Sequence, residues 1–485
     1  MNREDLTVFV PDEMEINRLP TDRITVPVIV ASGRSDGVVV SVSASAFDKT
    51  SEAKVSAPIT ALGLSPHEVK AGLDAGDEEA VSQVSERGAY RSLEIDVGGL
   101  PLEDGSTSLV TVTVDAVLSG RRVREVVRIP LHVTTLPEVP GWYGGDGHVH
   151  TEWSPDVILL PLHQRARFAR DNGFGYIIIT DHEDGVGEKW GGASGYCAQC
   201  RAAENEYGIP VLPGIEIGVS GSGHCLAYCL DDTAESAPSN RRFDAQDLLD
   251  EIEGHNPPLS YGIAAHPFEL RERWRDWSVR NLAGMEIINR SRKSRPETVA
   301  KWFELLRRDL RKTLKTGKFV VGLANSDCHN LMEPGGRGFT WIKPASRSMA
   351  GDTPSGRPPL SRAIVWKSLR EGRAVASGSK DLGFFTVNGA GIGETAHAPA
   401  GSTITFTLEC HPSGRRRCRK ITLYSGDGAQ TVLMPGKPES PLRYEARCPR
   451  KNTFYVARFD FAGPGGQRPS EVWTNPVFVR VTTDF

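Results

Sequence analysis

The 485-residue chain has no apolar run near the ~20 residues of a membrane span. Residues 1–6 lack the apolar core of a signal peptide. A cytoplasmic protein with no membrane partner is therefore expected. Charge is almost balanced, with 57 Lys and Arg against 61 Asp and Glu for a net −4. Nothing electrostatic draws such a chain to nucleic acid. Cysteine is sparse and scattered: Cys197 and Cys200 form one CxxC, and without a second pair this is a weak zinc signal. Cys410, Cys418 and Cys448 allow one disulfide without specifying it. No internal repeat is found.

Histidine and carboxylate supply what is present. Six of the 12 histidines fall in short motifs: Gly147-His148-Val149-His150, Thr180-Asp181-His182-Glu183, Glu216 with His224, Ala265-His266-Pro267, and Ser326-Asp327-Cys328-His329. Asp156, Glu216 and Asp327 accompany them. Nine imidazole and carboxylate ligands exceed what one ion can use and suit two or three divalent ions. A polynuclear metal centre is expected.

Local patterns suggest how it is built. His148 and His150 alternate, so on a strand both imidazoles share a face. Apolar runs precede the other ligands: Tyr176-Ile177-Ile178-Ile179 before His182, Val211-Leu212 before Glu216, Ile263-Ala264-Ala265 before His266, and Phe319-Val320-Val321 before Asp327. Ligands at the carboxyl ends of successive buried strands are the layout of an α/β barrel. Residues 159–170 and 296–316 carry helical spacing between strands.

The series HxH, DH, E, H, HP and SDxH resembles the PHP (polymerase and histidinol phosphatase) superfamily. The resemblance implies a distorted (β/α)7 barrel binding two or three Mn, Fe or Zn ions. It implies one metal on His148, His150, Glu216 and Asp327, and a second on Glu216, His224 and His266, with Glu216 bridging. A third would use Asp156, His182 and His329, Asp156 replacing a histidine found in some relatives. Asp181 is read as orienting an imidazole. Gly141-Trp142-Tyr143-Gly144-Gly145-Asp146, residues 372–378, Val387-Asn388-Gly389 and Thr474-Asn475-Pro476-Val477-Phe478-Val479 resemble the CehA/McbA branch. That branch places β-sandwich material around the barrel, and some of its members hydrolyse aryl carbamates.

Three domains are expected: a β-rich one over 1–139, the barrel over 140–385, and a second β-rich one over 386–485. Period-2 segments at 24–30 and 110–117 read as sandwich strands, and 66–86 as a short helix and loop. Strand patterns return at 402–409, 420–424, 453–460 and 472–481. These flanks are read as support, with oligomerisation through them open.

Two bridged ions roughly 3.5–4 Å apart share a water and lower its pKa toward neutrality. Hydrolysis of a small molecule is therefore expected, with a phosphoesterase leading. A carbamate, ester or amide hydrolase is the alternative, and a non-catalytic metal-stabilised binding protein stands third. Glu216, Asp181 and Arg337 are the candidate catalytic residues. Arg337, flanked by glycines, is the candidate contact for a substrate anion, whereas Arg290, Arg292, Lys293 and Arg295 read as a solvated loop. Residues 185–195, with Trp190, read as a candidate lid. The aromatics Trp142, Tyr143, Trp153, Trp274 and Trp277 read as packing.

Overall fold

The computed structural model describes residues 6–17, 23–33, 36–62, 65–75, 77–97, 100, 103, 105–158, 160–188, 191–230, 244–255, 260–270, 272–331, 334–345, 360–435, 441–463 and 469–482. The chain divides into two compact units. Unit 1 holds residues 1–135, 150–173 and 328–334; unit 2 holds 136–149, 174–327 and 335–485.

Unit 1 is built on strand alternation. Thr107–Leu118 buries Val110, Val112, Val114 and Ala116 because successive strand side chains point to opposite faces. Its five-stranded sheet runs Met14–Asn17, Arg121–Thr134, Thr107–Leu118, Gly37–Ala46, Lys49–Ile59. A second sheet holds Leu6–Phe9, Arg23–Ser32 and Ala89–Asp96. Ile24, Val26, Val28 and Val30 of the second share one core with Val42, Val112, Val114 and Leu131 of the first. Each such side chain contributes about 1.5–3 kcal/mol when fully buried.

The segment 66–86 departs from the short helix and loop expected. It forms two helices, Pro66–Ala75 and Glu78–Arg87, because the Asp77 carboxylate accepts from Glu79 N and Ala80 N and caps the second. Val69, Leu73, Val81 and Val84 cover Phe9, Ile29 and Ala31, together with Ile158 and Leu331. The helix expected over 159–170 is Leu162–Asp171, with Leu159 outside the described residues.

Unit 2 is mixed α/β and mostly strand. Tyr143–Asp146, Tyr176–Ile179 and Val211–Pro213 are parallel neighbours. Phe339–Ile342 joins antiparallel to Tyr143–Asp146, followed by Ala374–Ser377 and then Ser470–Thr474. Strands after residue 385 thus belong to the same sheet as strands before it. A separate five-stranded sheet runs Ile215–Val219, Gly223–Tyr228, Tyr261–Ala264, Gly284–Asn289, Val321–Asn325, its last three strands parallel. Leu382–Val387, Thr403–His411 and Leu442–Arg447 make a third sheet.

Helix Pro296–Thr316 takes the expected bounds, with proline at its start and Gly317 at φ +72° as its cap. The strand expected over 472–481 is instead two, Ser470–Thr474 and Val477–Thr482. Pro476 has no N–H for a ladder, and Asn475 uses its side chain as a substitute. Its Oδ1 accepts from Gly322 N at 2.8 Å, and its Nδ2 donates to Gly322 O and Ala374 O, each at 2.9 Å. Among the described residues no helix is long and apolar enough to cross a membrane. All eight cysteines are free thiols, and Cys197 and Cys200 are buried on helix Gly192–Tyr207.

Candidate metal centre

The candidate ligands of unit 2 follow strand ends. His148 comes two residues after Tyr143–Asp146, His266 two after Tyr261–Ala264, and Asp327 two after Val321–Asn325. The HxH was expected on a strand, but the strand stops at Asp146. Beyond it, Val149 is held by Thr180, whose N–H donates to Val149 O at 2.8 Å and whose Oγ1 accepts from Val149 N at 3.1 Å. Gly147 is needed because a Cβ there would lie 2.6 Å from Tyr228 Oη and 2.8 Å from Asn325 Oδ1.

Glu216 lies three residues beyond the parallel strand Val211–Pro213 but belongs itself to a following strand. It sits in the antiparallel pair Ile215–Val219 and Gly223–Tyr228, where Gly218 opposes His224. Glu216 and His224 are therefore diagonal neighbours on one face. Glu216 Oε1 lies 3.0 Å from His224 Nδ1 and 2.9 Å from His266 Nε2. Its Oε2 lies 3.2 Å from His148 Nε2 and 3.7 Å from His182 Nδ1. Asp327 Oδ1 is 3.3 Å from the same His148 nitrogen. Two groups of mutually close ligand atoms result, His148 with Glu216 and Asp327, and Glu216 with His224 and His266. Glu216 is common to both.

A further carboxylate was not read from the sequence. Glu286, fully buried on strand Gly284–Asn289, collects four donors. Oε1 faces His148 Nδ1 at 3.1 Å and accepts from Asn325 Nδ2 at 2.8 Å; Oε2 accepts from His266 N at 2.7 Å and Asn289 Nδ2 at 2.9 Å. It therefore fixes one ligand's ring and another's backbone. Asp146, also unread, is wholly buried. It accepts from His148 N, Ser326 N, Ser326 Oγ and Gly335 N, and burial, outweighing these bonds, pushes its carboxyl up to about 6.

Backbone strain gathers here. Of the eight non-glycine residues with positive φ among the described residues, His266 (+24°), Arg290 (+47°) and Asp327 (+48°) stand at these strand ends. Such conformations cost about 1–3 kcal/mol each and persist where surrounding bonds hold them.

Unit 1 carries another group, His150, Asp156 and His329, whose ligand atoms are also mutually close. His329 Nε2 lies 2.9 Å from Asp156 Oδ2, and the His150 and His329 rings stack at 4.1 Å. Buried Arg165 ties the segments together by donating to His150 O and His329 O at 3.2 and 2.7 Å. Asn330 does the same for the Asp156 loop, bonding Ile158 N and Asp156 O. Neither residue shows a sequence signal beyond its neighbourhood to a ligand.

The basic run is not the solvated loop expected. Arg290 Nε lies 3.1 Å from Asp327 Oδ2 and donates to Asp327 O, and Nη2 donates to Oδ1 at 3.3 Å. Arg292 is buried, its carbonyl accepting from Glu471 N. Lys293 and Arg295 remain exposed and line a cavity of about 30 Å³ with His266, Asn289 and Glu286. Arg337 is half-buried in the turn between Gly335 and Gly338. Asp181 is buried, and its backbone carbonyl accepts from Glu216 N at 3.1 Å, setting the register of that residue. Trp142, Trp153 and Trp274 are buried, whereas Trp190 of the expected lid lies outside the described residues.

The donor set fits divalent cations. It is made of imidazole nitrogen and carboxylate oxygen, without thiolate. Burying Glu216, Asp327 and Glu286 together is costly unless positive charge accompanies them. The imidazoles register that field: burial disfavours charge on His224, yet Glu216, Glu272 and Asp327 raise it to about 9. His148 is likewise raised, against burial, by Asp327, Glu216 and Glu286. Cations bound there would take the place of those protons. His266 Nδ1 is buried without a hydrogen-bond partner among the described residues, 3.8 Å from Glu272 Oε2.

No family model matches the chain. No curated protein matches it. Among solved structures, PsfC from Pseudomonas syringae PB-5123 aligns at 14% identity over 49% of this chain and 91% of its own, with a TM-score of 0.33. The Parabacteroides merdae β-glucuronidase aligns at 10% identity over 99% of this chain, with a TM-score of 0.19. Amycolatopsis orientalis exo-chitosanase CsxA aligns at 10% over 97%, with a TM-score of 0.20. The chain spans 64% of the length of each of these two glycosidases. Likenesses this slight assign neither fold nor function.

Proposed function

We propose that this protein is a metal-dependent hydrolase of the PHP type, acting on phosphate esters of small molecules. The observation that carries the reading is Glu216. One buried carboxylate turns Oε1 to His224 and His266 and Oε2 to His148, the disposition required of a ligand shared by two ions. Parallel strands of two sheets, ending two or three residues before His148, His182, His266 and Asp327, support a barrel of that type.

His148, Glu216 and Asp327 would hold one ion, and Glu216, His224 and His266 a second, drawn from Mn, Fe and Zn. His150, Asp156 and His329 offer ligands for a third. When bound, such a pair supplies a water acidified toward neutrality and charge to stabilise developing oxyanions. Glu286 holds the His148 ring so that Nε2 faces the carboxylates. Arg290 fixes Asp327, and Lys293, beside His266 and Asn289, pairs with no carboxylate among the described residues. Lys293, the cation left without a carboxylate there, favours an anionic ester over a neutral carbamate.

Protein reconstituted with Mn, Fe or Zn and offered 4-nitrophenyl phosphate, bis(4-nitrophenyl) phosphate and an aryl N-methylcarbamate tests this. Turnover of a phosphate ester is expected, with a loss of about a thousandfold or more in Glu216→Ala. Cleavage of the carbamate alone would replace the phosphoesterase reading with a carbamate hydrolase. Full metal loading without turnover of any of the three would overturn both.

A further inference from the structure

Four sequence strings, at 141–146, 372–378, 387–389 and 474–479, supply none of the candidate metal ligands. Three of them meet at a cavity of about 450 Å³ in unit 2, through Gly141 and Trp142, Arg373, and Gly389. Trp142 precedes strand Tyr143–Asp146, whereas His148 follows it. Four residues at about 3.3 Å each therefore put the cavity at the opposite strand end from the ligands.

The cavity has an aromatic wall and a cationic rim. The Trp142 and Phe384 rings stack at 5.0 Å, and Phe384 stacks on His411 at 5.5 Å. Ile342 pairs with Tyr143, so Lys343 opposes Trp142 across the antiparallel pair. The Lys343 ammonium stands 5.7 Å from the Trp142 and Phe384 centroids and pairs with no carboxylate among the described residues. Arg373 and Glu394 satisfy one another at 2.7 Å. Two cations thus face one carboxylate, in a chain whose net charge is −4. Trp142 is 2% exposed, and its indole N–H has no acceptor among the described residues. Leaving such a donor unmet costs about 1–3 kcal/mol.

We propose that this cavity is a binding site, separate from the metal centre, for a small aromatic carboxylate. The flat body lies against the Trp142–Phe384 wall, and the carboxylate accepts from Lys343 Nζ and Trp142 Nε1. The volume suits one drug-sized molecule. The ligand is anionic because both unmet groups are donors and one is charged. It is aromatic because the rings of Trp142, Phe384 and Phe385 supply most of the apolar lining, and ring edges pack well against a ring face.

Calorimetric titration of the full chain with 2-naphthoate, and with neutral 2-naphthol beside it, tests the site. Wild type is expected to bind 2-naphthoate saturably at one site. Lys343→Gln is expected to weaken it about tenfold, the worth of one charge-assisted hydrogen bond, and to leave 2-naphthol unchanged. Trp142→Phe is expected to weaken 2-naphthoate while keeping the stack. His266→Ala, which removes a metal ligand, is expected to leave binding intact. The proposal is overturned by no saturable binding, by equal affinity in Lys343→Gln, or by loss in His266→Ala instead. Metal content and esterase turnover of Lys343→Gln should match wild type, so failure here and failure of the hydrolase reading are told apart.

Discussion

Glu286 Oε1 lies 3.1 Å from His148 Nδ1, and the other oxygen of the same carboxylate accepts from the backbone of His266. One buried group thereby orients ligands from both members of the Glu216-centred pair. Its replacement should act on metal binding before it acts on anything else.

Glu286→Gln keeps the shape but supplies an amide where four donors now meet a carboxylate. Metal affinity is expected to fall about 10–100-fold, as for other groups that orient a metal-binding imidazole. Competition with a chromogenic chelator, alongside circular dichroism to establish folding, measures this. A folded variant with wild-type affinity would show that Glu286 contributes only packing.

Asn475 stands in for a strand ladder that Pro476 interrupts, bonding Gly322 and Ala374 through three hydrogen bonds. Asn475→Ala strands the buried N–H and C=O of Gly322, while Ala374 O keeps the Asn475 N–H. A loss of about 2–4 kcal/mol in urea unfolding is expected, each unmet group costing about 1–3. Because Gly322 lies on the strand that ends before Asp327, metal affinity should fall as well. A stability change under 0.5 kcal/mol would contradict the role given to this side chain.

Acid should weaken unit 2 through Glu394. Burial raises its carboxyl, but the Gly391 N–H, Arg373 and the nearby Lys343 outweigh that and hold it below its ordinary value of 4.5. A carboxyl lower in the folded state than in the unfolded stabilises fully above the unfolded pKa, and that contribution is lost as pH falls through the folded one. Glu394→Gln should therefore lower the melting temperature at pH 7 and converge with wild type below about pH 4. Because the Glu394 side chain is more than a third exposed, the effect should be a fraction of ~1 kcal/mol. Parallel melting curves across that pH range would exclude the pairing as a source of stability.

Much of the candidate site was legible in the sequence. Imidazole and carboxylate are rare as neighbours of apolar strand runs, so His148, His182, His266 and Asp327 announce themselves. The alternation of 107–118 and the spacing of 296–316 likewise give their elements away, since one exposed face and one buried face leave a period in the letters. The flanks were less legible: Asp77 converts an expected loop into a second helix by one local cap, and Asn475-Pro476 divides one apolar run into two strands.

The sequence by itself determined which atoms are available to hold metal, because ligand type belongs to the side chain. Only the tertiary structure decided how they are used. Glu286 reads as a lone polar interruption of a buried strand, and Arg290 as part of a charged loop. Their meaning lies in partners 138 and 37 residues away along the chain. Hydrogen bonds act over about 3 Å of space regardless of chain separation. Glu216 acquires two faces only when its hairpin brings one oxygen to His224 and His266 and the other to His148.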